Sequence, residues 1–145
     1  MTRGGTSTRP RVLLDTSAVI DLPDSADLPS GSEIAISSIT LAELSAGVHA
    51  ATDARERAVR LVRLQRVEAA IASLSFTPAA ARRYGQLYAM VLDAGRNPRP
   101  RRMDLLIAAV AAIHQLPLVT RNGADFADLS PILEVIALPG RSEKR

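Results

Sequence analysis

Four acidic residues stand where an apolar stretch gives way to a helix-like one: Asp15, Glu43, Asp104 and Asp125. Asp15 ends the run Val12-Leu13-Leu14. Glu43 lies in Ser37-Ser38-Ile39-Thr40-Leu41-Ala42-Glu43-Leu44. Asp104 opens Asp104-Leu105-Leu106-Ile107-Ala108-Ala109, and Asp125 follows Thr120-Arg121-Asn122-Gly123-Ala124. Parallel strands end on one edge of a sheet, so acids distant in sequence can meet there. Converging carboxylates repel unless a cation neutralises them. An oxygen-only donor set selects hard ions such as Mg²⁺ or Mn²⁺. The chemistry expected of such a centre is metal-dependent attack on a phosphate ester.

Each acid also has a purely structural explanation. Asp15 can cap the turn that follows it. Yet a carboxylate ending a buried strand is costly unless it is paired or metal-bound. The hydroxyls of Thr16 and Ser17 follow at once and are placed to orient it. Thr40-x-x-Glu43 has the spacing of a capping box, which alone explains a glutamate there. Asp104 suits the positive end of a helix dipole, but it is the single acid at the head of a very apolar segment. Asp125 can cap a short helix after the Asn122-Gly123 turn. Asp21, Asp24, Asp27 and Asp128 read as solvent-facing, and His49 and His114 as packing residues. Arg101, Arg102 and Arg121 flank the proposed pocket and are candidates to hold a phosphate backbone.

Composition narrows the field. A chain of 145 residues fits one domain. It has no cysteine, which excludes disulfides, thiolate metal sites and a thiol nucleophile. With two histidines a typical zinc site is not expected. Aromatics are 3% of the chain, so the core must be built from Leu, Val, Ile and Ala. The net charge is +3, and every one of the 18 basic residues except Lys144 is arginine, a composition suited to polyanions. No apolar run reaches the roughly 18 residues of a membrane span, and the polar start lacks the core of a secretory signal. The expected location is the cytoplasm.

Those side chains need elements to position them. Residues 11–15 read as a buried strand, with a helix starting at 16–22 and broken by Pro23. A second strand spans 33–37, and a helix spans 40–50 with Thr40 as its N-cap. Residues 53–73 form the longest amphipathic stretch, with Arg57, Arg60, Arg63 and Arg66 on one side and Ala58, Leu61, Val62 and Ile71 opposite. A third strand is expected at 74–76. Thr77-Pro78 marks a helix start, placing a helix over 79–94. A Pro- and Arg-rich loop over 95–102 precedes an apolar helix at 103–115. Strands at 116–120 and 133–138 flank a turn or short helix at 123–129. Strands alternating with helices predict an α/β fold with a parallel sheet of about five strands. Ligands bind such sheets beyond the strands' carboxyl ends, at the topological switch point. Residues 1–10 and 139–145 read as tails around one domain over 11–138.

The sequence resembles the PIN-domain family, and within it the VapC ribonuclease toxins of toxin–antitoxin pairs. The resemblance is carried by Leu13-Leu14-Asp15-Thr16-Ser17-Ala18-Val19-Ile20, Ser37-x-Ile39-Thr40-x-x-Glu43-Leu44-x-x-Gly47, Asp104-x-x-Ile107-Ala108-Ala109 and Thr120-Arg121-Asn122-x-x-Asp125-Phe126. It implies a three-layer α/β/α PIN-like fold and Mg²⁺-dependent endoribonuclease activity, with Mn²⁺ able to substitute. It implies a VapB-type antitoxin partner, a homodimer and RNA as substrate, with no membrane association. Asp15, Glu43 and Asp104 match the family's core acids. Many relatives carry Asp where this chain has Asn122, so Asp125 and Asn122 are both candidates for the fourth position. The 53–73 helix is a candidate part of the antitoxin surface.

Two other readings compete. The acids could be structural caps in a non-catalytic RNA- or protein-binding module. Asp15 could be a nucleophile of the haloacid-dehalogenase kind, but Ser17 stands where such enzymes carry a second aspartate.

Overall fold

The computed structural model describes residues 9–139. Residues 1–8 and 140–145, most of the two expected tails, lie outside the described residues. Five strands are β1 Arg11–Leu14, β2 Glu33–Ser37, β3 Ala72–Leu74, β4 Leu118–Thr120 and β5 Val135–Ala137. All pair in parallel, in the order β3-β2-β1-β4-β5. The chain builds outward from β1 through β2 to β3, then crosses back to add β4 and β5 on the other side. The switch point is therefore the β1–β4 boundary, immediately beyond which lies Asp15.

Five helices cover the sheet: α1 Thr16–Ile20, α2 Ser38–Ala50, α3 Ala54–Ala70, α4 Pro78–Asp93 and α5 Arg102–Ile113. Side chains alternate across β1 as a strand's two-residue period requires. Leu13 enters a core shared with α4 and α5, including Leu87, Leu105 and Val110. Val12 and Leu14 enter the opposite core with Val19, Ile36, Leu44 and Val67. The result is the three-layer α/β/α architecture expected from the sequence. Alanines 108, 109, 111 and 112 are all buried on α5, and their small side chains let that helix lie close to its neighbours.

Several local readings are corrected. The cap of α2 is Ser37, whose Oγ accepts from the Ile39 amide at 3.0 Å. Thr40 is fully buried inside the helix. Ser37 lies directly before the turn and reaches the free amide, so the capping-box reading of Thr40 and Glu43 falls. β3 begins two residues before the expected 74–76, because Ala72 to Leu74 take the register of Ala35 to Ser37. The Pro/Arg loop contains a 3₁₀ turn, Arg99–Arg101, that runs straight into α5. Phe126 is the largest fully buried side chain, an aromatic in a core expected to be aliphatic. His49 and His114 are exposed rather than packed. Asp128 pairs with Arg96 at 2.9 Å rather than standing in solvent. The cap at Thr77 with Pro78 at the helix start forms as expected, with Thr77 Oγ1 accepting from the Ala80 amide at 3.2 Å.

Gly123 is required by close approach. A Cβ on it would collide with the Ala137 Cβ of the neighbouring edge strand. This packs the 3₁₀ segment Gly123–Leu129, which carries Asp125, against β5.

Candidate active site

Asp15 follows β1 directly and is 3% exposed. Its backbone nitrogen donates to the Val119 carbonyl at 3.0 Å, which fixes it beside β4. Its Oδ1 accepts from the Ala18 amide at 3.0 Å and from Ser17 Oγ at 2.6 Å. Asp15 is thus the N-cap of α1, as one of its two sequence readings held. Both bonds land on Oδ1, so capping uses only one side of the carboxylate.

Glu43 lies in α2, on the turn after the buried Thr40. Thr16 Oγ1 donates to Glu43 Oε1 in a very short hydrogen bond, and lies 3.2 Å from Thr40 Oγ1. With the capping box gone, no local backbone duty explains Glu43. Its partner comes from 27 residues away, across the strand ends. Thr40 is the residue of this network that the sequence reading assigned to a different task. Its signal was present: a threonine one turn before the acid, able to face the same cleft.

Asp104 sits in the first turn of α5 and is partly buried. Its carboxyl is raised above the ordinary carboxylate range. Burial is the main cause, then the negative charges of Asp15 and Glu43. The Arg101 guanidinium pulls in the opposite direction, and Asp125 adds a smaller upward push. Asp15 sits at the carboxyl end of β1 with Thr16 holding Glu43 beside it, and the charges of Asp15, Glu43 and Asp125 all reach Asp104. This is the convergence that the strand-end argument requires.

The last acid is held by the β4 exit. Thr120 Oγ1 accepts from the Asn122 amide at 3.0 Å, and the Asn122 carbonyl accepts from the Asp125 amide at 3.0 Å. That turn carries Asp125 toward Asp104. The Asp125 charge acts on Asp104, and the Asn122 backbone holds the turn that carries Asp125.

The three flanking arginines separate. Arg121 is a strut: its guanidinium donates to the carbonyls of Asp21, Leu22 and Pro139 at 2.8 to 3.1 Å, and lies 3.5 Å from the Asp21 carboxylate. That network occupies the group expected to touch phosphate. Asp21, read as solvent-facing, joins it. Arg102 is exposed. Arg101 is turned inward, its guanidinium 5.9 Å from the Phe126 ring centre.

Whether this donor set suits a dication can be tested on the side chains themselves. Among the described residues no group of three or more acids or histidines is set to hold an ion as it stands. The Asp104 carboxyl, raised first by burial and then by its acidic neighbours, nevertheless marks a place where added positive charge would be favourable. The donors are all carboxylate oxygens, the set preferred by hard dications. In chemistry this donor set fits Mg²⁺ or Mn²⁺.

A model of the PIN domain matches residues 12–130. The chain belongs to the PIN-domain family. Ribonuclease VapC5 of Mycobacterium tuberculosis is 39% identical to this PIN domain over 120 residues, spanning 81% of this chain and 86% of the relative. The crystal structure of VapBC-5 from the same organism, a member of the VapBC family of toxin–antitoxin systems, contains a chain 38% identical to it. Its TM-score is 0.77, with 88% of this chain and 98% of that one covered. VapBC2 from Rickettsia felis, solved bound to a DNA fragment from their promoter, matches at 27% identity and a TM-score of 0.66, covering 88% and 98%. Among the described residues no helix of this PIN domain is long and apolar enough to cross a membrane.

Proposed function

We propose that the protein is a metal-dependent endoribonuclease acting as the toxin of a VapBC-like pair, with Mg²⁺ as its ion and Mn²⁺ able to replace it. The observation that carries this is the gathering of acids at the β1–β4 switch point: Asp15 follows β1, Thr16 beside it holds Glu43, and the charges of Asp15, Glu43 and Asp125 all act on Asp104. Asp15 and Asp104 would hold the ion, and Asp125 would complete the set. Glu43, fixed by the Thr16 hydroxyl, would be a further ligand or would orient the attacking water. When bound, the dication supplies a more acidic water and stabilises charge on the phosphate. The helix starts of α1 and α5 at this edge favour the same anionic groups.

The antitoxin reading rests on an apolar groove of about 630 Å³ between α1 and α3. Ile20, Leu22, Val59 and Val62 are between 44% and 58% exposed there. Arg63 and Arg66 border it. Ile20 and Arg63 also line the cleft of about 350 Å³ that holds Glu43 and Thr16. A partner with an apolar helix and an acidic flank would fill the groove and continue into the active-site cleft. A homodimer belongs to the same proposal, checked by sedimentation of the purified chain.

The test is incubation of the purified chain with structured RNA and Mg²⁺, beside Asp104→Asn. Cleavage by the wild type alone supports the reading. Equal products from both, or none from either, defeats it and favours the non-catalytic module.

A further inference from the structure

Among the described residues, some arginines pair with acids near them. Arg60 reaches Glu56 and Arg96 reaches Asp128, each at 2.9 Å. Arg101 does not follow this pattern, although its charge acts on Asp104. Its Nε, Nη1 and Nη2 are all buried and all without a hydrogen-bond partner. A buried guanidinium left unpaired is strongly unfavourable. A resident counter-ion of the acid cluster would hydrogen-bond one of the carboxylates, and Arg101 hydrogen-bonds none of them.

The residue is also held in place. It ends the 3₁₀ turn Arg99–Arg101, and its amide donates to the Pro98 carbonyl at 3.0 Å. The buried Phe126 ring covers the guanidinium at 5.9 Å. Asp104 follows three residues later, on the first turn of α5. A planar fork of donors, fixed on a rigid turn beside an acid cluster, matches a tetrahedral oxyanion carrying two free oxygens.

We propose that Arg101 is a catalytic residue that binds the non-bridging oxygens of the scissile phosphate. This rests on the ribonuclease reading of the same site. In hydrolysis the water oxygen bonds to phosphorus and gives up a proton, and the bond from phosphorus to one ribose oxygen breaks, that oxygen keeping the electron pair and taking up a proton from solvent. Negative charge grows on the non-bridging oxygens meanwhile, and a fixed guanidinium is worth most there. Arg121 has no such part, its guanidinium being taken up by main-chain carbonyls.

The experiment compares wild type, R101Q, R101K and the exposed-surface control R82Q. It measures kcat for RNA cleavage at saturating Mg²⁺, and Mn²⁺ affinity by calorimetry. R101Q is expected to lower kcat by about 10²- to 10³-fold, as loss of a transition-state donor does. R101K keeps the charge but loses the fork, and is expected to remain at least about tenfold slow. Both should bind Mn²⁺ as tightly as wild type or more tightly, and R82Q should match wild type throughout. An active wild type equalled by R101K, or by R101Q, overturns this inference alone. So does a faster R101Q with tightened Mn²⁺ binding, the behaviour of a mere counter-ion. An inert wild type removes the ribonuclease reading and this inference with it.

Discussion

The Ser17 hydroxyl joins Asp15 to a residue 104 positions beyond Ser17 itself: it donates to Asp15 Oδ1 at 2.6 Å and accepts from the Arg121 amide at 3.1 Å. The bridge crosses the β1–β4 boundary, where the order of strand addition reverses. It holds the first acid against the turn that carries the last. Ser17→Ala should leave the Arg121 amide without its partner and Asp15 held by the Ala18 amide alone. The expected cost is about 1–2 kcal/mol of stability. RNA cleavage should drop by about tenfold, the equivalent of 1.4 kcal/mol at the transition state. Urea denaturation and initial cleavage rates measure the two effects.

The Thr16–Glu43 bond makes a second, separable prediction. Thr16→Val keeps the side-chain shape but removes the donor to Glu43. Cleavage should fall by about ten- to a hundredfold, since a hydrogen bond to a charged group contributes about 1.5–3 kcal/mol. In the double variant with Glu43→Gln the losses should not add, because the hydroxyl acts through the carboxylate. Additive losses would separate the two residues.

Asp104 sets a pH dependence whose sign follows from its environment. Its folded carboxyl is raised, so its charged form destabilises the metal-free fold at neutral pH. Asp104→Asn should therefore melt higher than wild type at pH 7, by roughly 2 °C or more. The advantage should shrink as pH falls through the raised value. It should vanish below about 3.9, where the unfolded carboxyl is protonated as well. Added Mg²⁺ should raise the melting temperature of wild type but not of the variant. Mn²⁺ affinity should weaken at a higher pH than for an ordinary carboxylate.

Arg121 should behave as structure. Arg121→Met leaves the carbonyls of Asp21, Leu22 and Pro139 without their donor. The expected loss is about 3 kcal/mol, seen as a lower denaturation midpoint with unchanged slope. Mn²⁺ stoichiometry at low temperature should stay as in wild type.

The groove offers a test independent of catalysis. Val62 is 44% exposed, so Val62→Asp should leave folding and RNA cleavage intact. It should abolish co-purification with a co-expressed VapB-type antitoxin. Retained co-purification would place that partner elsewhere.

Much of this site was legible because the chain marks strand ends sharply. Val12, Leu13 and Leu14 are all fully buried and the next residue is charged, so Asp15 stood out. Thr120 before Arg121-Asn122 marked the β4 exit in the same way. Glu43 was ambiguous because Thr40-x-x-Glu43 has capping-box spacing. Only tertiary structure shows the Thr40 hydroxyl beside Thr16, 24 residues earlier, with Ser37 as the cap. Arg101 and Arg121 look equivalent in sequence. Their difference arises from Phe126 over one and from the carbonyls gathered around the other. The periodicity of residues 53–73 showed an apolar side but not what covers it: Leu61 and Val62 are 42% and 44% exposed, and Val67 is the buried residue of α3.

The central claim is that carboxylates from four separate segments act together on one dication. Calorimetric titration of the metal-free chain with Mn²⁺ tests it most directly, with Asp104→Asn and Asp15→Asn alongside. The account predicts saturable binding at neutral pH in wild type, proton release on binding, and loss of that binding in both variants. Saturable binding that survives both substitutions, or no binding by the wild type, would contradict it.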